Sequence, residues 1–420
     1  MSSTDPSASP PRPLFPFPAL HVRWLRQEWR RAALRHAFGE VDALMRTPEP
    51  AVSGRPVDLY ARVTRAFVEN MPADVRPPRT FSVRPWPQAE TPQRGRSAEF
   101  WLLSCRVFHD DTVRADAEVI ACAVGTLRLM GLTEQHVKVR ISHRSAVRSL
   151  LLRRAVDQER LDDWFPLLHR AGKTSNDDFI SNAVELGMDS KTAVDVLRVL
   201  NLSTPFETPT TQLFLSEQAG GRGPEYFKAL FTELRAMGVA DWCVLNLGIV
   251  RGGSHYTGMV FEVHDAGGRG RALVGGGRSE LPGNPPVQSV GFDMGDAALL
   301  DLLAGSGLLP DARDTAEAVG ARPEIFITST DDAEALEMLT PTVASLRRAG
   351  LSVLAATEPA PDLAAADTAA RAAIGACSPR HAVLLEATDA GVVARVRDLD
   401  RSLTHAEPLP LDQLRAFFNR

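Results

Sequence analysis

The chain has 420 residues, enough for two to three domains at roughly 150 residues each. Apolar residues make up 44% and charged residues 24%, and 47 Lys+Arg against 52 Asp+Glu leave a net charge of −5, which excludes a disordered or fibrous chain. That balance supplies no whole-chain positive field for a polyanion, and no apolar run of roughly eighteen residues or basic-then-apolar leader occurs, so neither a membrane partner nor export is expected and the cytoplasm is the expected location.

Residues 1–19 are crowded with Pro and Ser and read as a disordered arm. From His21 to about Phe38 the apolar positions Val22, Leu25, Trp29, Ala33 and Ala37 follow the period of an amphipathic helix, and a second helix is expected over Asp58 to Asn70. Strands are expected at Thr80 to Val83 and Phe100 to Phe108. A long helix follows, about Ala115 to Met130, with Asp116 and Glu118 opposing the positive end of its dipole. Between Ser142 and Ala240 the spacing of apolar residues by three and four predicts a helical insert, about 145–240. Alternation then resumes in WCVLNLGIV, HYTGMVFEVHD and RALVGG, read as three antiparallel strands, the last two joined by Ala266-Gly267-Gly268. Gly291 to Leu303 reads as a helix and Gly305 to Arg322 as a linker. The last hundred residues alternate strand and helix and predict a separate α/β domain over 321–420, leaving 20–320 as the core.

Cys105, Cys122, Cys243 and Cys377 are far apart, with no C-x-x-C and no metal-like spacing to the ten histidines, so neither a disulfide framework nor a metal site is expected. Gly275-Gly276-Gly277-Arg278 lacks a following Lys-Ser/Thr and reads as a turn rather than a phosphate loop.

The segment Arg251-Gly252-Gly253-Ser254-His255-Tyr256-Thr257-Gly258-Met259-Val260-Phe261-Glu262 resembles the histidyl-tRNA synthetase signature R-G-L-D-Y-Y-T-G-x-V-F-E. Collinear matches add to it. Gly276-Gly277-Arg278 resembles the G-G-R-Y-D turn, Ser289 to Gly295 the third class II motif, Pro92 to Arg96 with Glu99-Phe100 the motif 2 loop, and Asp116 to Ile120 the helix after it. Leu346 to Gly350 and Val393 to Leu399 are similar to the anticodon-binding domain of that family. The resemblance implies an α+β fold: a class II aminoacyl-tRNA synthetase-like antiparallel sheet core with a helical insert, followed by an anticodon-binding-like α/β domain, assembled as a homodimer.

The same resemblance assigns candidate site residues. Arg251 stands at the catalytic arginine and either faces a ligand or makes a structural ion pair. Tyr256 matches the second pocket tyrosine, while His255 replaces the first, as a ligand contact or as one polar residue of an alternating strand. Asp58 resembles the acid at the start of the family's E-G-T-A-P-V-V-R-A helix, where the ATP phosphoribosyltransferase regulatory subunit also tends to carry an Asp; its other reading is a helix cap. Glu90 and Arg96 keep their family positions.

The departures concern charge. The motif 2 arginine falls on Gln88, the motif 3 arginine on Ala298 with Asp296 nearby, the pocket glutamine on Leu102, and the ammonium-binding glutamate on Arg106, which suits a carboxylate or phosphate instead. From Arg322 to Arg420 ten arginines and no lysine stand against fourteen acids, which speaks against gripping tRNA. The expectation is a degenerate paralogue, a pseudoenzyme that senses a small-molecule ligand as a regulatory subunit, with a role in histidine biosynthesis beside an ATP phosphoribosyltransferase-like partner enzyme, and with no cofactor. The alternative is a divergent ligase that activates an amino or other carboxylic acid with ATP and Mg through Arg251, Glu90 and Arg96.

Overall fold

A computed structural model describes residues 16–41, 78–87, 99–171, 174–208, 223–251, 256–267, 272–281, 286–373 and 378–418. The helix expected over Asp58 to Asn70 and the first fifteen residues of the expected arm lie outside these. Helix α1 spans Pro16–Arg35, so helix begins inside the segment read as an arm. Contacts divide the chain into two units, Leu25–Leu309 and Pro310–Arg420 with Pro13–Trp24.

The first unit is built on an eight-stranded sheet: β1 (Gly39–Glu40), β2 (Arg79–Pro87), β3 (Glu99–Phe108), β4 (Val137–His143), β5 (Cys243–Leu245), β6 (Tyr256–Asp265), β7 (Val274–Leu281) and β8 (Val287–Gly295), in the order β1-β2-β3-β8-β7-β6-β4-β5. The central pairs are antiparallel, whereas β1–β2 and β4–β5 are parallel. The expectation that WCVLNLGIV forms an antiparallel neighbour is therefore corrected. Only Cys243–Leu245 is strand, and it runs parallel to β4 because the connection between them is a long helical crossover rather than a hairpin. Strand β4 falls where no strand is expected from the sequence, although buried and half-buried positions alternate from Val137 to Ile141. Gly291 to Leu303 is likewise not one helix: β8 continues to Gly295 and helix α8 (Asp296–Gly305) starts after it.

The register sorts residues onto two faces. Cys105, Phe292, Gly276, Phe261 and Ile141 stand in one row across β3, β8, β7, β6 and β4, and all their side chains except glycine's are fully buried. That face meets α2 (Val113–Leu129), which Thr112 starts by accepting a hydrogen bond from Ala115 N, two residues earlier than the apolar pattern alone suggests. Cys105 contacts Cys122 of α2, and burial pushes its thiol well up. Among the described residues the cysteines are buried and free; Cys377 lies outside them.

The insert leaves β4 as α3 (Arg144–Leu152) and continues through α4 (Leu161–Arg170), α5 (Asn176–Glu185) and α6 (Ser190–Asn201) before α7 (Gly223–Ala236) returns to β5. Each of α3, α5 and α6 has a side-chain cap: His143 accepts from Ser145 N, Ser175 from Asp178 N and Asp189 from Thr192 N.

In the second unit β9 (Ile325–Ser329), β10 (Val353–Ala355), β11 (His381–Thr388), β12 (Gly391–Asp398) and β13 (Leu403–Thr404) lie in the order β10-β9-β11-β12-β13, with β14 (Leu409–Pro410) also on β12. Helices α10 (Ala333–Arg348) and α12 (Leu411–Phe418) cover the face carrying Ile325, Ile327, Val383 and Leu385. Helix α11 (Leu363–Ala373) covers the other face, setting Ala366 and Ala370 against Leu384 and Phe326. The expected linker contains a short helix, α9 (Ala312–Ala318), capped by Asp311.

Candidate ligand site

The face of the first sheet opposite α2 carries a second row, Ser104, Asp293, Gly275, Glu262 and Arg140, across the same strands, and beside it Arg106, Gly291, Gly277, Val260 and Ser142. Glycine here has a steric reason. A Cβ at Gly275 would occupy the place of Arg251 Nη1, and one at Gly291 would run into the Arg106 side chain and the Cys105 carbonyl. Two guanidiniums thus lie down on a floor of bare backbone.

Arg251 reaches Glu262 Oε1 at 3.5 Å, and its guanidinium carbon stands 5.3 Å from the centre of the Tyr256 ring. Burial works against its charge, but Tyr256, Glu262 and Asp293 outweigh that and hold its pKa above the ordinary value. Glu262 also meets His264 Nε2 at 3.0 Å through its other oxygen.

Arg106 was expected against a ligand, and the structure engages it within the floor. Its Nη1 donates to the carbonyls of Cys105 (2.8 Å) and Phe292 (2.7 Å), and its Nη2 to Asp293 Oδ2 (2.7 Å). Asp293 Oδ1 is buried without a hydrogen-bond partner among the described residues. A sequence reading had no reason to select Asp293, although a single acid in the otherwise uncharged strand Val287–Gly295 was its signal.

Where the resemblance places the motif 3 arginine, at Ala298, the charges nearby are Asp296 and Arg26. Ala298 is half-buried in the first turn of α8, and Leu102 stands opposite Gly295. Asp296 is buried at the start of α8; burial raises its carboxyl to about 6, against the pull of the Trp101 and Ala297 backbone N–H groups and of Arg26. Arg26 itself stacks on Trp101 at 4.0 Å. Asp58, Gln88, Glu90, Arg96 and His255 lie outside the described residues. The structure therefore brings together Arg251, Tyr256 and Arg106 and adds Asp293 and Glu262 to them.

A model of the family described as histidyl-tRNA synthetase matches residues 54–292. The chain belongs to the histidyl-tRNA synthetase family. Among curated relatives, a histidine–tRNA ligase of Opitutus terrae is 30% identical over 310 residues, 67% of this chain and 71% of that one. One of Pyrococcus furiosus is 31% identical over 272 residues, 62% of this chain and 61% of that one, so this chain spans under two thirds of its length. A histidyl-tRNA synthetase structure from a Nostoc species covers all of both chains with a TM-score of 0.73 at 16% identity. An ATP phosphoribosyltransferase regulatory subunit/histidyl-tRNA synthetase from Bacillus halodurans covers 85% of this chain and 96% of its own with a TM-score of 0.61 at 17% identity. These likenesses bear out the class II synthetase fold. Among the described residues no helix is long and apolar enough to cross a membrane.

In the second unit several arginines are paired with acids. Arg397 pairs with Asp367 at 2.8 Å, Arg322 and Arg313 each with Asp400 at 2.6 Å, and Arg401 with Asp398 at 3.9 Å. Arg371, Arg380 and Arg395 pair with Asp367, Glu317 and Glu386. Arg395 and Arg397 of β12 are thus each in contact with an acid, and Arg401 lies at the outer limit of an ion pair.

Proposed function

We propose that this protein is a catalytically degenerate member of its family that binds a small molecule over the glycine floor and acts as a homodimeric regulatory subunit. The observation that carries the reading is the charge alternation of the floor. Arg106, Asp293, Arg251 and Glu262 neutralise one another, while at the neighbouring helix start Ala298 supplies no guanidinium and Arg26 faces Asp296 instead. Transfer of an adenylyl group needs preplaced cations where phosphate charge develops, and losing one such contact costs about 3 kcal/mol of transition-state stabilisation. The ion-paired second unit supports the absence of a tRNA role, since anticodon recognition relies on free cations. The Bacillus halodurans protein carries both descriptions on this fold, which supports an ATP phosphoribosyltransferase-like enzyme as partner and a place in histidine biosynthesis.

The second reading, an active ligase using ATP and Mg, is favoured by the retained pairing of Arg251 with Tyr256 and by the ligases among the relatives. Exchange of pyrophosphate into ATP, assayed across all amino acids with the purified dimer, separates the two. Silence is expected from the unmodified protein at concentrations where a family synthetase is active, and exchange by it overturns the regulatory reading. The pair Gln88→Arg and Ala298→Arg, run in parallel, tests whether the missing cations are the cause.

A further inference from the structure

We infer that His169, on the helical insert, is a positioning residue for Arg251, so that the insert and the ligand cleft respond to one another. The inference rests on the reading above that Arg251 faces the ligand.

After β5 ends at Leu245, the chain runs to Arg251 without strand partners. Part of its support is local: Asn246 N donates to the Ile141 carbonyl at 2.9 Å, and Gly248 N to Asn246 Oδ1 at 2.9 Å. The rest comes from the insert. Thr204 and Leu245 exchange backbone hydrogen bonds of 3.1 and 2.9 Å. The Leu200 carbonyl at the end of α6 lies so close to Gly248 that no Cβ fits between them. Nearest to the site, His169 Nδ1 of α4 donates to the Val250 carbonyl at 2.5 Å, which is half of the peptide unit that carries Arg251. A carbonyl only accepts, so the Nδ1 proton is fixed by this contact.

The base of the insert is held separately. His143 caps α3 at the exit from β4, and its ring lies 4.5 Å from that of Tyr226, in the first turn of the returning α7. The Tyr226 hydroxyl donates to Asp116 Oδ2 at 2.6 Å, and Asp116 Oδ1 pairs with Arg278 Nε of β7 at 2.8 Å. Both ends of the insert are therefore tied to the sheet, and the segment before Arg251 is met by the end of α6 at Gly248 and by α4 at Val250. Between the insert and that segment runs a narrow cleft of about 10 Å³ lined by Arg144 and Phe165 on the insert and by Ile249, Arg251 and Val260 opposite. A ligand that moves Arg251 must then move α4 through His169, and the reverse holds by linkage.

The test compares His169→Leu, which removes the donor, with His169→Asn, whose amide restores one, in the full chain. Hydrogen exchange read by mass spectrometry over residues 246–251 is expected to speed up by roughly tenfold in the Leu variant, as for one lost hydrogen bond, and to return near the wild-type rate in the Asn variant. Peptides from 176–201 should exchange as in the wild type in both, showing that the insert still folds. Unchanged exchange over 246–251 in the Leu variant, or equal acceleration in both variants, overturns the inference. Calorimetric titration with inorganic pyrophosphate forms the second arm. Weaker binding by the Leu variant with recovery in the Asn variant supports the coupling. If the wild type binds no pyrophosphate, the case for an anion at Arg251 falls, while the exchange rates still decide whether His169 positions it.

Discussion

The buried junction of Asp116, Arg278, Tyr226 and His143 makes a prediction with opposite signs in one place. Burial raises the Asp116 carboxyl to about 6 despite Arg278 and Tyr226, and burial with Arg278 lowers His143 to about 4. Against unfolded values of about 3.9 and about 6.5, each departure is roughly two pH units, or about 3 kcal/mol at 1.36 kcal/mol per unit. Asp116 has a folded pKa above its unfolded one, so its contribution to stability falls as pH rises from about 4 to about 6. His143 has a folded pKa below its unfolded one, so its contribution rises as pH climbs from about 4 to about 6.5. In the wild type the two slopes offset each other, because folding in effect replaces a charged pair by a neutral one. Asp116→Asn should therefore gain about 3 kcal/mol on the wild type over this window, and His143→Gln should lose about 3 kcal/mol on it. The double variant should run parallel to the wild type. Asp296, also raised to about 6, is common to all four proteins and drops out of the comparison. Urea unfolding followed by tryptophan fluorescence at several pH values between about 4 and 7 measures this, and five of the six tryptophans fall within Leu25–Leu309. Single variants whose stabilities run parallel to the wild type across the window would refute the reasoning.

The floor makes two further predictions. Arg106→Met leaves Asp293 without its cation and should destabilise by about 3 kcal/mol, while adding Asp293→Ala should recover most of the loss; additive losses in urea titrations would show that the pair is not coupled. Gly275→Ala meets only the far end of the Arg251 side chain, so it should lower stability by less than about 1 kcal/mol while displacing the guanidinium and abolishing ligand binding, whereas Gly291→Ala meets the Cys105 carbonyl and should cost about 1–3 kcal/mol. Equal stabilities for the two glycine variants would contradict this account of the floor.

How far the sequence could be read depended on how many residues a feature spans. HYTGMVFEVHD alternates over a full strand, and β6 occupies Tyr256–Asp265 with little change. VKVRISH alternates equally well, yet Lys138 and Arg140 on its open face mask the pattern, and β4 was missed. In GFDMGDAALL no Pro or Asn separates strand from helix, so β8 and α8 merged into one expected helix. Arg251 and Tyr256 were legible because they sit in one contiguous signature. The fate of Arg106 was not, because its sign is visible in the sequence but its partner Asp293 lies 187 positions away. His169 and Val250, 81 positions apart, were beyond reach for the same reason.

The order of charges on the floor bears on what it can hold. Taken across the strands, Arg106, Asp293, Arg251 and Glu262 alternate in sign with zero formal charge, and Arg140, opposite Glu262 at the β4 end of the row, adds one positive charge. The alternating four project little net field, since each of their charges is countered within a few ångströms and the remaining interaction decays with distance. The start of α8 would ordinarily favour an anion, but Asp296 already occupies it. A triphosphate approaching this surface finds one cation, Arg140, beyond those paired with Asp293 and Glu262. A small zwitterion meets complementary groups at once, with Arg251 for a carboxylate and the unpartnered Asp293 Oδ1 for a donor. Ala298 and Arg106 thus change the balance of charge expected at the cleft, Leu102 replaces an amide by an apolar side chain, and the glycine floor stays intact.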